Sequence, residues 1–163
     1  MKKTALPIIA AVLMAAALSA QIVPNTPAPG FSLKDLGGKA ITLESLKGRI
    51  IVLNFWATWC PPCRAEIPDF VAFYAANKDK GLEIVGVTVD TIPASQVLAF
   101  ARQNKMSYPV AMSTEKILGS YGPIDAIPTT FIIDKTGRIR HTQVGLLSKD
   151  VLELWFAKLS REK

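Results

Sequence analysis

Cys60 and Cys63 are the only cysteines in the chain, and both residues between them are proline. Ahead of them runs Ile50-Ile51-Val52-Leu53-Asn54-Phe55-Trp56, an apolar, β-branched stretch that reads as a buried strand. Behind them Ile67, Phe70, Val71 and Tyr74 recur at helical spacing, which puts Cys60 at or beside the first helical residue. Positions three apart share a helix face, so the two sulfurs come within reach of one disulfide. The helix N-terminus aims unpaired N–H groups and a partial positive charge at Cys60, which favours thiolate over thiol. Pro61 and Pro62 suit the first turn, where a missing N–H costs nothing and φ is already set. The pattern points to thiol–disulfide exchange.

Two plainer readings compete with it. A structural zinc site needs about four ligands, whereas this chain offers two cysteines and one distant histidine, His141. No metal is therefore expected. A purely structural disulfide would close a very short loop, and loop-closure stabilisation grows with loop length, so it would contribute little. The strand-to-helix setting favours redox work, which asks for no cofactor beyond the sulfurs.

A length of 163 residues, half of them hydrophobic, suits one domain with a packed core. Residues 1–20 stand apart from that core. Lys2 and Lys3 precede an apolar run from Ala5 to Leu18, and Ser19-Ala20-Gln21 supplies small residues after it. That is the layout of a secretory signal, with an exit after Ser19 or Ala20. The alternative is an uncleaved anchor, although the run is short for the ~17–25 residues that span a bilayer and carries Pro7. No cysteine lies near the exit, which excludes a lipid-modified N-terminus. Export from a bacterial cytoplasm follows, to a periplasmic or other extracytoplasmic space where disulfides persist. The formal net charge of +6 falls to +4 without Lys2 and Lys3, and the remaining basic residues are scattered. No basic block interleaved with aromatics suggests nucleic acid.

Residues 21–30 are proline-rich and read as an extended linker. Phe31-Ser32-Leu33 and Ala40-Ile41-Thr42-Leu43 alternate around Gly37-Gly38, the mark of a small hairpin. A helical turn at 44–47, the core strand and the cysteine helix follow, and Pro68 is expected to kink that helix. Beyond Gly81 come a strand over 82–89 and a helix over 93–104, with Val97, Phe100 and Ala101 inward. A short strand over 108–111 and a short helix over 113–121 complete this stretch. Asp134-Lys135-Thr136-Gly137 is a turn joining strands 129–133 and 139–144. A last helix starts at a Ser148 cap and lines up Leu152, Trp155 and Leu159. The order predicts an α/β domain with a central mixed sheet and helices on both faces.

Three stretches carry a resemblance: Asn54 through Cys60-Pro61-Pro62-Cys63 to Pro68, Ile127-Pro128-Thr129-Thr130-Phe131-Ile132-Ile133-Asp134, and Pro27-Ala28-Pro29-Gly30-Phe31-Ser32-Leu33. They resemble the thioredoxin superfamily, and within it the extracytoplasmic TlpA-like and ResA-like thiol–disulfide oxidoreductases of the redoxin (AhpC/TSA-like) branch. Cytochrome c maturation reductants belong to that group. The resemblance covers about residues 24–160. It implies a thioredoxin-like fold over 31–163, with an N-terminal β-hairpin and a helix–strand insert. It also implies a cis bond between Ile127 and Pro128 beside the cysteine pair, leaving the Ile127 backbone free for an extended client segment. The plainer alternative is a trans proline heading a strand. Thr129 follows in the same client-binding stretch. Ile127 offers a Cys60 thiolate no side-chain hydrogen bond, as in reducing rather than strongly oxidising members.

Cytoplasmic thioredoxins carry a buried aspartate where this chain has Asn54, which cannot take up a proton. Glu66 lies one helical turn beyond Cys63, and ResA-like proteins have a glutamate at the matching position. The plainer alternative is an acidic residue favoured by the helix dipole. The expected mechanism has Cys60 attack a client disulfide and Cys63 resolve the adduct, with Glu66 as base. Trp59, with Trp56 as a weaker candidate, would form an apolar docking rim; for Trp56 packing alone is the stronger reading. Client proteins with disulfides, a membrane dithiol donor and a monomeric state are the expected partnership. The rivals are a disulfide oxidase or isomerase using the same pair, a thiol peroxidase and a Cu(I) chaperone.

Overall fold

The computed structural model describes residues 25–162. The export signal read at residues 1–20 therefore lies outside the described residues. In chain order the elements are β1 (Thr26–Pro27), β2 (Ser32–Lys34), β3 (Ala40–Thr42), a 3-10 turn (Glu44–Leu46), β4 (Ile50–Trp56), α1 (Pro61–Asn77) and a second 3-10 turn (Lys78–Lys80). They continue with β5 (Leu82–Thr88), α2 (Ala94–Gln103), β6 (Val110–Met112), α3 (Glu115–Tyr121), β7 (Thr129–Ile133), β8 (Arg138–Val144) and α4 (Lys149–Arg161).

Six strands form one mixed sheet in the order β1-β8-β7-β4-β5-β6, and β2 and β3 form a separate hairpin. Strand β4 lies in the middle, parallel to β5 and antiparallel to β7. All seven of its residues are buried, as its unbroken apolar run requires of a strand covered on both faces. Alternation then divides it. Ile50, Val52 and Trp56 pack under α1, α2 and α4, with Ile67, Phe70, Val97 and Leu152. Ile51, Leu53 and Phe55 face the β2–β3 hairpin and α3, with Leu33, Ile41, Ile117 and Tyr121. The mixed sheet with helices on both faces is the predicted one.

The turn between β7 and β8 is tied by Asp134, whose Oδ1 accepts from the Thr136 amide at 2.9 Å, the Thr136 hydroxyl at 2.7 Å and the Arg138 amide at 3.0 Å. Gly137 completes it at φ 84°, a conformation that costs glycine least.

Several expectations change in detail. Thr26–Pro27, within the stretch read as a linker, pairs with Arg138 and Ile139 of β8 and forms the sheet edge. Thr114 caps α3 by accepting the Ile117 amide at 3.3 Å, so that helix starts later than read. Ser148 sits at the cap of α4 but its side chain makes no capping bond.

The segment between α3 and β7 holds two cis X–Pro bonds, Gly122–Pro123 and Ile127–Pro128. Gly122 has no room for a side chain: a Cβ there would collide with the Leu118 carbonyl oxygen and lie 2.9 Å from the Ile124 nitrogen. Gly119, inside α3, has open space around it. Gly122→Ala should therefore lower unfolding free energy by about 1–3 kcal/mol, the usual cost of overpacking. Gly119→Ala should raise it by about 0.5–1 kcal/mol, the helix penalty of glycine. Urea unfolding of both variants checks the contrast, and equal effects would contradict it.

Candidate active site

The end of β4 leads into a tight turn, Ala57-Thr58-Trp59-Cys60, closed by a 3.2 Å hydrogen bond from the Cys60 amide to the Ala57 carbonyl. Cys60 is the N-cap of α1, and Pro61 and Pro62 occupy the first helical positions. Prolines are tolerated there because those N–H groups have no intrahelical partner. The Cys60 Sγ accepts from the Cys63 amide at 3.3 Å, the role an oxygen-bearing side chain usually fills at a cap. Cys60 and Cys63 are joined as a disulfide with Cα atoms 5.3 Å apart.

The pair is largely closed off, with Cys60 3 % and Cys63 1 % exposed. Trp59, the residue before Cys60, is 65 % exposed. Trp56 is buried with its ring 5.7 Å from that of Phe100; it packs and does not form part of the rim.

From the other side of the sheet centre comes the loop ending at Pro128. The Ile127–Pro128 bond is cis, and the Ile127 carbonyl oxygen lies 3.7 Å from Cys60 Sγ. The Pro128 carbonyl accepts from the Gly145 amide at 2.8 Å, fastening this loop to the end of β8. Thr129 is buried and its hydroxyl donates to the Ala126 carbonyl at 2.7 Å, so its side chain shapes the loop rather than facing outward. Val144 and Leu146, on either side of Gly145, are exposed. Neither stood out in the sequence, because a lone apolar residue at a strand end has no periodicity to mark it.

Glu66 is buried on the α1 face that also carries Cys63. Its Oε1 accepts from Asn54 Nδ2 at 2.8 Å and its Oε2 from the Leu147 amide at 3.1 Å. Asn54 Nδ2 donates as well to the Thr130 hydroxyl at 2.9 Å. The asparagine and the glutamate, read separately in the sequence, thus form one buried unit across β4, α1 and the loop before α4. Loss of hydration pushes the Glu66 pKa up to about 7, against the lowering effect of the Leu147 and Asn54 hydrogen bonds. A carboxyl poised near neutrality can take a proton and return it. Among the described residues no three of His, Cys, Asp and Glu are grouped so as to hold a metal ion.

Residues 24–142 match the AhpC/TSA family. The chain belongs to that family. It is 40 % identical over 134 residues to the thiol–disulfide oxidoreductase ResA of Bacillus thuringiensis, covering 82 % of this chain and 76 % of the relative. Among solved structures it is similar to a thioredoxin-family thiol:disulfide interchange protein from Chlorobium tepidum, with TM-score 0.78 and 34 % identity over 85 % of this chain and 98 % of the other. StoA from Bacillus subtilis superposes with TM-score 0.67 and 32 % identity, over 81 % of this chain and 98 % of its own. The fold is thioredoxin-like, and the enzyme is a thiol–disulfide oxidoreductase with a CXXC-type disulfide.

The raised Glu66 pKa carries a stability consequence whose sign is fixed by linkage. Below about pH 4.5 the group is protonated in both folded and unfolded chains. As pH rises toward 7 the unfolded chain ionises first, so the native state, which keeps its proton, loses stability. A displacement from 4.5 to about 7 corresponds to a loss of roughly 3 kcal/mol, complete above pH 7. Glu66→Gln removes this dependence. In the oxidised protein the variant should gain roughly 3 kcal/mol on the wild type between pH 4.5 and 8. Urea unfolding at both pH values checks it, and parallel losses in the two proteins would contradict it.

Proposed function

We propose that the enzyme works as a reductant of disulfides in client proteins, with Cys60 as attacking thiolate, Cys63 as resolving thiol and Glu66 as proton acceptor. One observation carries the direction. The Cys60 sulfur faces the carbonyl oxygen of Ile127 at 3.7 Å and is supported by the Cys63 amide at 3.3 Å. A carbonyl dipole opposes negative charge on sulfur, and Ile127 brings no side-chain donor to offset it. A thiolate that is not over-stabilised gives up its electrons more readily, which favours the reducing direction.

In this reading the exchange runs through two displacements at sulfur. The Cys60 thiolate attacks one sulfur of the client disulfide; a Cys60–client bond forms and the other client sulfur leaves as thiolate. The Cys63 thiol passes its proton to Glu66. The resulting thiolate attacks Cys60, closing the Cys60–Cys63 disulfide and releasing the second client sulfur. Two electrons have moved from enzyme to client. Trp59, next to Cys60 in the chain, and Val144 and Leu146, on either side of the Gly145 that is bonded to Pro128, offer exposed apolar surface on which a client can dock, while the backbone of Ile127 pairs with its extended segment. In this reading the enzyme acts as a monomer outside the cytoplasm and is re-reduced by a membrane dithiol donor. Clients in cytochrome c maturation or metal-centre assembly fit the ResA likeness.

Cys63→Ser should accumulate a mixed disulfide through Cys60 when mixed with envelope extract; absence of any adduct would count against this order of attack. The direction is checked by the reduction potential, expected near ~−270 mV rather than ~−120 mV. Ile127→Thr, which brings a hydroxyl to the Cys60 thiolate, should raise that potential by roughly 30–60 mV, the equivalent of one hydrogen bond to a charged group. A potential unmoved by Ile127→Thr would mean that the cis-proline loop does not set the direction. For Glu66→Gln, the pH profile of client reduction should lose its inflection near 7.

A further inference from the structure

Just beyond β5 lies a second buried carboxylate, Asp90, 5 % exposed and outside the chemistry described above. Its oxygens accept from the Thr58 amide at 2.8 Å, the Thr58 hydroxyl at 2.8 Å and the Thr88 hydroxyl at 2.6 Å. The Asp90 amide in turn donates to the Thr88 hydroxyl oxygen at 3.2 Å. Hydrogen bonds to an ionised acceptor are the strong ones, and a buried carboxylate fully supplied with donors holds its partners in one geometry.

Two of those bonds end on Thr58, the second residue of the turn that closes from the Cys60 amide to the Ala57 carbonyl. Asp90 is itself fixed from the sheet: the neighbouring Val89 amide donates to the Trp56 carbonyl at 2.9 Å, continuing the β4–β5 ladder. The position of the sheet is thereby passed through Asp90 and Thr58 to the residue two places further on.

We propose that Asp90 is a positioning residue for Cys60: by holding Thr58 it keeps the Ala57–Cys60 turn closed, and so keeps the Cys60 sulfur at the cap of α1 over the Cys63 amide. The proposal rests on thiol–disulfide exchange at Cys60 but not on its direction. Positioning and charge act on Cys60 with opposite signs, which makes them separable. Losing the position draws the sulfur off the helix terminus and raises its pKa. Losing a nearby negative charge would lower it. Asp90→Ala loses both. Asp90→Asn loses only the charge, since its carbonyl can accept from the Thr58 amide and Thr88 hydroxyl while its NH2 donates to the Thr58 hydroxyl oxygen.

The test is alkylation of Cys60 by iodoacetamide across pH, in a Cys63→Ser background where it is the sole cysteine. If Cys60 of the background protein resists alkylation at every pH, the exchange reading of Cys60 fails, whatever Asp90 does. Adding Asp90→Ala should shift the profile to higher pH and slow alkylation at pH 6.5 roughly three- to tenfold, the scale of a helix-terminus interaction. Asp90→Asn should stay within about twofold of the background, because its hydrogen bonds are retained. Thr58→Val, which deletes one of the two bonds to the turn, should fall between them, and it decides the matter if Asp90→Ala does not fold. Equal shifts in the alanine and asparagine variants would overturn the proposal. So would an unmoved profile in Asp90→Ala or Thr58→Val accompanied only by easier unfolding.

Discussion

Strand β4 is covered on both faces, and that constraint organises the site as well as the core. A strand in this position must be apolar along its length, so the one polar residue it carries, Asn54, has to find its partners inside. It finds Glu66 on α1 and Thr130 on β7. Both are brought alongside by packing: α1 because its buried face must cover β4, β7 because it is the antiparallel neighbour in register with it. The hydrogen bonds of Asn54 are thus a consequence of where the sheet centre lies. They also decide which way Glu66 points.

Glu66 shows how a fold can hold an ionisable group between states. Burial alone would drive a carboxyl far toward the neutral form; two donors, the Leu147 amide and the Asn54 amide group, pull it back. The balance settles close to neutrality, at a measurable cost in stability whenever the group is ionised. Stability given up at a buried carboxyl is the pattern expected where a proton has to move. The loop that supplies Leu147 follows the exposed Val144 and Leu146, so the backbone donor to Glu66 and these two apolar side chains share one short segment of chain.

Much of this was legible in the residues. The apolar run at 50–56 and the strand-to-helix joint at Cys60 follow from composition and spacing, and the helix does begin at Pro61. The cis bond at Pro128 entered through a resemblance, since a lone Ile-Pro pair carries no physical mark of its isomer. What stayed hidden depends on partners remote in sequence. Thr26–Pro27 becomes a strand only because β8 offers it an edge. Asp90 looks like a loop acid until the β4–β5 register sets it against Thr58, 32 positions away in sequence. Propensity sees neighbours in the chain, and these two depend on neighbours in space.

The two sulfurs are served by separate parts of the molecule, which gives the fold independent control over each. Cys60 answers to the α1 terminus, to the Ala57–Cys60 turn behind it and to the Ile127 carbonyl in front. Cys63 lies one turn deeper, on the helix face shared by Glu66, whose ionisation is set by β4 and the loop before α4. In the proposed mechanism, changing the residue before Pro128 alters how willingly the first sulfur holds charge without touching Glu66, the proposed proton acceptor of the second. Changing Asn54 does the reverse. A scaffold with this division can move its reduction potential and its proton transfer separately, because no single side chain sits in both environments.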